Sequence, residues 1–293
     1  MISIIKNRRI WFVFSGLLIG ASIVSLAFYG LRLGIDFTGG ALLEISFKGE
    51  RPAANQVSET LSGFGESVVQ SIGEKGVIVR LPPLTDDAHR EVLEKIRQSF
   101  GEADELRFES IGPIIGKELL DKAVKALAFV FVSIVIYIAW AFRKVSRPIS
   151  SWTYGVITVI TALHDVAVPL GLFSILGKVQ NAEVGGAFVA AVLTIMGYSI
   201  NDTIVVLDRV RENLARSSGT FQEIVERSVR QSFARSINTT MTTLLALVAI
   251  YIFGGESVKN FSLALIAGIA TGAYSSIFIA APLLVVWNNR KRR

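Results

Sequence analysis

GGAFVAAVLTIMGYSINDTIVVL, residues 185–207, decides the fold. A helix that crosses a bilayer needs roughly 20 mostly apolar residues, and this run supplies them. It also carries Asn201 and Asp202, side chains that hydrocarbon does not tolerate without a partner or a cavity. Five further runs read the same way: residues 10–30, 123–142, 153–176, 237–253 and 262–287. The run at 237–253 is the weakest, because Asn238, Thr239, Thr240, Thr242 and Thr243 occupy its first half. The expected fold class is therefore an α-helical membrane protein built as a six-helix bundle. The first run is preceded by Lys6, Arg8 and Arg9 and contains the cleavage-like Ser25-Leu26-Ala27. A secretory signal has a shorter apolar core of about 7–15 residues, so a retained anchor is favoured.

Composition agrees. Of 293 residues, 51% are hydrophobic and only 18% charged, against about a quarter charged in soluble domains. The net charge of +6 raises the question of nucleic acid. Its distribution answers it, because the basic residues gather at the ends of apolar runs rather than along one face. Lys6, Arg8 and Arg9 precede the first run; Arg143, Lys144 and Arg147 follow the second. Arg209, Arg211, Arg216, Arg227, Arg230 and Arg235 lie between the fourth and fifth, and Arg290 to Arg293 end the chain with Lys291. The opposite loops hold Lys178 and Lys259. This asymmetry places both termini in the cytoplasm and residues 31–122 outside. With no cysteine, disulfides and thiolate zinc sites are excluded.

The expected organisation has three parts: residues 1–33 as N-terminus and first helix, 34–112 as an extracytoplasmic domain, and 113–293 as the remaining five helices. In the middle part, Ala41, Leu43, Ile45 and Phe47 alternate with polar or half-buried positions, which predicts a strand. A short helix over 53–64, a hairpin from 68–72 and 77–81, a helix from Thr85 or Asp86 to Phe100, and a strand over 105–111 follow. That β-α-β-β-α-β order is the ferredoxin-like pattern. Pro113 suits the first turn of a helix running on into the second span. In the cytoplasmic loop, Phe221, Val225, Val229 and Phe233 recur every four residues. Residues 220–236 thus read as an amphipathic helix on the membrane surface or packed under the bundle.

The chemistry concentrates in a few side chains. His164 and Asp165 lie near the middle of the third run, and Asp202 lies in the cytoplasmic half of the fourth. A charge at the bilayer centre costs at least ~2.5–3.5 kcal/mol on insertion scales, which makes such residues candidates for ion handling. The plain alternative is a hydrogen-bonded pair that joins helices at ~0.6 kcal/mol per contact. Arg235, Asn238 and Thr242 enter the fifth run from the side on which Asp202 lies, so Asp202 and Arg235 are expected to approach each other. A mobile guanidinium beside a carboxylate is a workable switch for releasing and loading a proton. Ala264, Gly268, Gly272, Ser276 and Ala280 form a small-residue stripe, a helix-packing face whose partner the sequence leaves open. GIDFTGG (34–40) reads as a turn, with Asp36 bonding local backbone and Gly39 and Gly40 supplying positive φ, or as a gating element. No Walker loop, zincin motif or nucleophile elbow occurs, and nothing calls for a cofactor or a metal.

GIDFTGG (34–40), ALHDV (162–166), GYSINDTIVV (197–206), RSINTT (235–240) and TGAYSSIFIAAPLL (271–284) together resemble the SecF family of bacterial protein-export subunits. The resemblance runs in order across nearly the whole chain. It implies the resistance-nodulation-division superfamily, a partner SecD carrying a second six-helix half, and work beside the SecYEG channel, the SecA motor and YajC. Such proteins are understood to use the proton-motive force to move an outside domain that holds translocating polypeptide in late steps of export. Carried over by motif, Asp202 and Arg235 match the positions tied to proton coupling, and His164 and Asp165 match the intramembrane pair, with Asn201, Asn238 and Thr242 in support. The competing readings are an intramembrane aspartyl protease using Asp165 and Asp202, a small-molecule exporter of the same superfamily, and a translocon scaffold. The protease lacks the Gly-Asp setting, and the exporter class generally has both halves in one chain. A non-enzymatic transport role is the expectation.

Overall fold

The computed structural model describes residues 3–143 and 149–291; of the basic residues used above, Lys144, Arg147, Arg292 and Arg293 lie outside the described residues. In chain order the elements are α1 (Arg8–Tyr29), α2 (Ile35–Thr38), β1 (Gly40–Phe47), α3 (Ala54–Thr60), β2 (Val68–Ile72), β3 (Gly76–Leu81), α4 (Asp86–Phe100) and β4 (Ala103–Ile111). There follow α5 (Pro113–Ala141), α6 (Ser151–Gln180), α7 (Gly186–Arg216), α8 (Phe221–Phe253), α9 (Glu256–Ser275) and α10 (Ala281–Lys291), the last two joined by a π turn over Ser276–Ala280. Six helices are long and apolar enough to cross a membrane, with α9, the π turn and α10 counting as one. The chain divides into two compact units, one of Met1–Arg32 with Lys125–Arg293, the other Leu33–Val124.

The smaller unit is a four-stranded antiparallel sheet in the order β2-β3-β1-β4 with two helices. The alternation along β1 does what it predicts: Ala41, Leu43, Ile45 and Phe47 are all buried, joined by Val77, Val79 and Leu81 of β3. Val57 of α3, Leu61 just past its end, and Val92, Leu93 and Ile96 of α4 close the core. Thr85 caps α4, its hydroxyl accepting from the Ala88 amide at 3.3 Å. Satisfying one orphan amide this way is worth about 1 kcal/mol. Pro113 starts α5, where its missing N–H costs nothing.

In the larger unit, α6, α7 and the α9–α10 rod form the centre. Roughly half or more of each apolar segment is buried (56%, 50% and 67%), against 17% for α1, 11% for α5 and 17% for α8. Two central contacts rest on glycine. A Cβ on Gly171 of α6 would sit 2.5 Å from Ser22 of α1, and one on Gly268 of α9 would sit 2.3 Å from Ile195 of α7. The small-residue stripe therefore packs inside this chain: Gly268 against Ile195, Gly272 against Ser199, and Ser276 hydrogen-bonded to Thr203 at 2.9 Å. At the α1–α6 crossing the close backbones exchange side-chain bonds, Ser25 Oγ to the Gly171 carbonyl and Ser174 Oγ to the Ser25 carbonyl, each 2.8 Å. Gly171→Leu is expected to cost about 1–3 kcal/mol through overpacking. Gly20→Leu on the same pair of helices, where a Cβ meets nothing within 4 Å, leaves the detergent unfolding midpoint unchanged.

One expectation changes form. Residues 220–236 and the fifth span are a single 33-residue helix, α8. Thr220 and Glu223 form a reciprocal capping box at its start, and no Gly or Pro interrupts it before Gly254. The amphipathic portion buries Phe221, Ile224, Val225 and Val229 within the bundle. Its repeat marks a packed face through Phe221, Val225 and Val229, whereas Phe233, the fourth member, is exposed.

Candidate functional site

Asp165 sits at the middle of the 30-residue α6, fully buried. Its Oδ1 lies 2.9 Å from Nδ1 of the neighbouring His164. Its Oδ2 accepts from Ser199 Oγ of α7 and, at 2.6 Å, from Ser275 Oγ of α9. One carboxylate thus ties three helices. Neither serine belongs to the small-residue stripe, whose member Ser276 is the neighbour of Ser275. Ser275 and Ser276 bracket the junction of α9 with the π turn, and they divide their contacts: Ser275 reaches Asp165, while Ser276 reaches Thr203. A π turn widens the helix by one residue and is common at functional sites. The other nitrogen of His164, Nε2, is buried with no hydrogen-bond partner. The ring lies 6.4 Å from that of Tyr274, whose hydroxyl donates to the Trp11 carbonyl and accepts from Ser15.

Asp202, next to Thr203 on α7, is buried at 7% exposure. Its Oδ1 accepts from Ser236 Oγ of α8 at 2.6 Å, and its Oδ2 is buried without a hydrogen-bond partner. One turn farther along α8, the Thr240 hydroxyl is also buried and unpartnered. Ser228, Ser232, Ser236 and Thr240 recur every four residues, a hydroxyl stripe facing α7. Asn213 donates to Ser228 at 2.8 Å at one end of this seam, and Tyr198 meets Thr243 at 3.3 Å at the other.

Arg235 does not pair with Asp202; the residue beside that carboxylate is Ser236, one position on and about 100° around the helix. The Arg235 side chain instead borders a cavity of about 120 Å³ with Asp208, Arg209, Glu212 and Ser232. Asn201, Asn238 and Thr242 are exposed, and Asp202 accepts its hydrogen bond from Ser236. His164 and Asp165 pair with each other and Asp202 is buried against α8, while Arg235 and the three amide and hydroxyl residues are exposed. Ser199, Ser236 and Ser275 were not anticipated as site residues. Their signal was available in part, because Ser199 lies three residues before Asp202 and so on the same helix face.

In the smaller unit, GIDFTGG forms the one-turn helix α2 followed by two glycines at φ 76° and 132°. A Cβ on Gly39 would stand 2.7 Å from the Pro113 backbone, and one on Gly116 would stand 2.9 Å from the Gly39 nitrogen. The glycines are required here by positive φ and by the close approach of the α5 backbone.

A family described as "Protein export membrane protein SecD/SecF, C-terminal" matches residues 91–290, and one described as "SecD/SecF GG Motif" matches residues 24–50. The protein translocase subunit SecF of Thermobaculum terrenum is 43% identical, over 99% of this chain and 95% of its own length. That of Anaerolinea thermophila is 37% identical, over 100% and 96%. Among solved structures, SecDF of Thermus thermophilus, a translocon-associated membrane protein, superposes with a TM-score of 0.85 at 35% identity. This chain is covered to 99% there but spans only 39% of that longer chain. With near-complete coverage at such identity, and with both family motifs in place, the chain belongs to the SecF family of SecD/SecF protein-export membrane proteins.

Proposed function

We propose that this chain is an accessory subunit of the Sec protein translocase that, with SecD, uses the proton-motive force to promote late steps of export across the cytoplasmic membrane. The observation that carries the coupling role is the pair of buried acids at the centre of the bundle. Asp165 is fully partnered, whereas Asp202 keeps a buried oxygen with no partner, a place where a proton can be taken up. Asn201, Arg235, Asn238 and Thr242 stand exposed on apolar helices, which is costly against lipid and favourable against a second polar helix bundle. This chain spans 39% of the SecDF chain, and in this reading a SecD partner supplies the second helix bundle.

The switch follows from helix geometry. Rotating α8 by about one residue, roughly 100°, exchanges Ser236 for Arg235 beside Asp202. A guanidinium there favours the ionised carboxylate and its withdrawal lets Asp202 take a proton. A charge crossing the membrane releases ~2.3 kcal/mol per 100 mV, enough to bias such a two-state cycle. His164 and Asp165 hold the adjoining helices in register with it. No covalent chemistry is assigned to these groups; the role is transport.

In this reading the termini are cytoplasmic, GIDFTGG packs against the start of α5, and residues 34–112 lie outside as a ferredoxin-like domain. Its strand order with a helix after β1 and another after β3 is what a split β-α-β pair interleaves. SecYEG, SecA and YajC are the neighbours, and translocating polypeptide is the cargo. The test uses inner-membrane vesicles with and without this subunit, at fixed ATP, with a preprotein arrested midway. Vesicles containing it are expected to complete translocation several-fold faster when a proton gradient is imposed, and to lose that gain with uncoupler. Equal completion in both preparations would remove the assignment.

A further inference from the structure

Beneath the apolar start of α1, the N-terminal segment is clamped to α8. The Glu226 carboxylate accepts from Ser3 Oγ at 3.0 Å and from the amides of Ile4 and Ile5 at 3.2 and 2.9 Å, and it also receives Arg230 Nε at 3.0 Å. Glu223 is occupied as well, its Oε2 accepting the Thr220 amide at 2.9 Å in the capping box. The segment and the first turns of α8 border an open cavity of about 290 Å³, lined by Lys6, Gln222, Arg227 and Arg230 beside these two carboxylates. Three cations, Lys6, Arg227 and Arg230, line the cavity against the two carboxylates, which leaves one net positive charge there. Lys6 and Arg227 are exposed and form no ion pair among the described residues.

The same end of α1 carries a second feature. Arg9, Ile10, Val13, Phe14 and Leu17 line a shallow groove of about 400 Å³ with no polar lining above Arg9. Ile10, Val13 and Leu17 follow at spacings of three and four on one exposed face of α1, and Lys6 lies in the turn just before that helix begins at Arg8. Trp11 marks the depth: its indole N–H donates to the Ile4 carbonyl at 3.2 Å and its ring packs on Phe278 at 4.4 Å. Indoles settle at the headgroup level of a bilayer.

We propose that this place binds one anionic phospholipid, its phosphate headgroup held by Lys6 and Arg227 in the cavity and an acyl chain lying along Ile10, Val13 and Leu17. Charge complementarity selects the headgroup, and the continuous apolar face selects a lipid over a free anion. Basic pockets between membrane helices hold anionic headgroups in this way, each Lys or Arg near an anionic headgroup adding about fivefold in affinity. The site is distinct from the acids at the bundle centre, and its occupancy does not depend on proton coupling.

The full chain, purified in dodecyl maltoside, is titrated with phosphatidylglycerol, with phosphatidylcholine of the same acyl chains, or with sodium phosphate, and adducts are counted by native mass spectrometry. Phosphatidylglycerol is expected to bind at least about tenfold more tightly than phosphatidylcholine. The double variant Lys6→Gln/Arg227→Gln loses roughly 30-fold for phosphatidylglycerol, while Lys6→Arg/Arg227→Lys, which keeps both charges, retains it. Val13→Trp, which fills the groove, weakens the lipid as well. Equal binding of the two lipids, an unaffected double variant, or displacement of phosphatidylglycerol by millimolar sodium phosphate would each overturn the proposal, the last by assigning the cavity to a free phosphate.

Discussion

Asp202→Asn is expected to abolish the proton-dependent part of export while the membrane complex still assembles. Asparagine keeps the size of the side chain and an oxygen to accept from Ser236 Oγ, so the α7–α8 seam survives. The unpartnered Oδ2 is replaced by an amide that neither ionises nor takes a proton. The gain from an imposed proton gradient should fall to the level seen with uncoupler, whereas ATP-driven translocation is unchanged. Arg235→Met is expected to give the same loss by a different route, since the exposed methionine leaves the seam untouched but removes the charge that can replace Ser236 beside Asp202. Export at the wild-type rate in both variants under a gradient would dismiss the coupling role assigned to this pair.

Asp165→Ala is expected to act on the bundle itself. The variant removes the acceptor of two serine hydroxyls and the partner of His164, and leaves those groups buried in the middle of three helices. Leaving buried hydrogen-bonding groups without a partner costs about 1–3 kcal/mol for each, the largest loss of stability expected for this chain. A denaturation midpoint in mixed detergent should drop accordingly. Asp165→Asn, which still accepts from one serine and fits the same space, should recover much of it. Should Asp165→Ala prove as stable as the unaltered chain, the three-helix tie would be incidental.

Much of the architecture follows from local pattern. The apolar runs have helical length, the alternation of Ala41, Leu43, Ile45 and Phe47 has the strand period, and Thr85, Pro113 and Thr220 each mark a helix start that the structure carries. The acids are equally plain, because so few side chains of that type occur in such runs. Their partners are not. Ser236 and Arg235 are adjacent in sequence and equal in depth, and only the rotation of α8 about its axis decides which faces Asp202. Composition carries no information about that angle. Ser276 reads as one member of the small-residue stripe, and Ser275 beside it falls off that stripe and draws no notice. The π turn that aims them in two directions has no sequence mark of its own. The continuity of α8 was hidden for another reason: its two halves differ in composition, and a change from amphipathic to apolar looks like the end of one element and the start of another.

That unbroken helix has a mechanical consequence. A rod of 33 residues is about 50 Å long, well beyond the hydrocarbon thickness of a bilayer. Without a glycine, a proline or a loop inside it, a twist has nowhere to dissipate, so torque applied at one end is delivered at the other. The Ser3–Ile5 strap on Glu226 and the carboxylate of Asp202 therefore grip the same shaft at two heights.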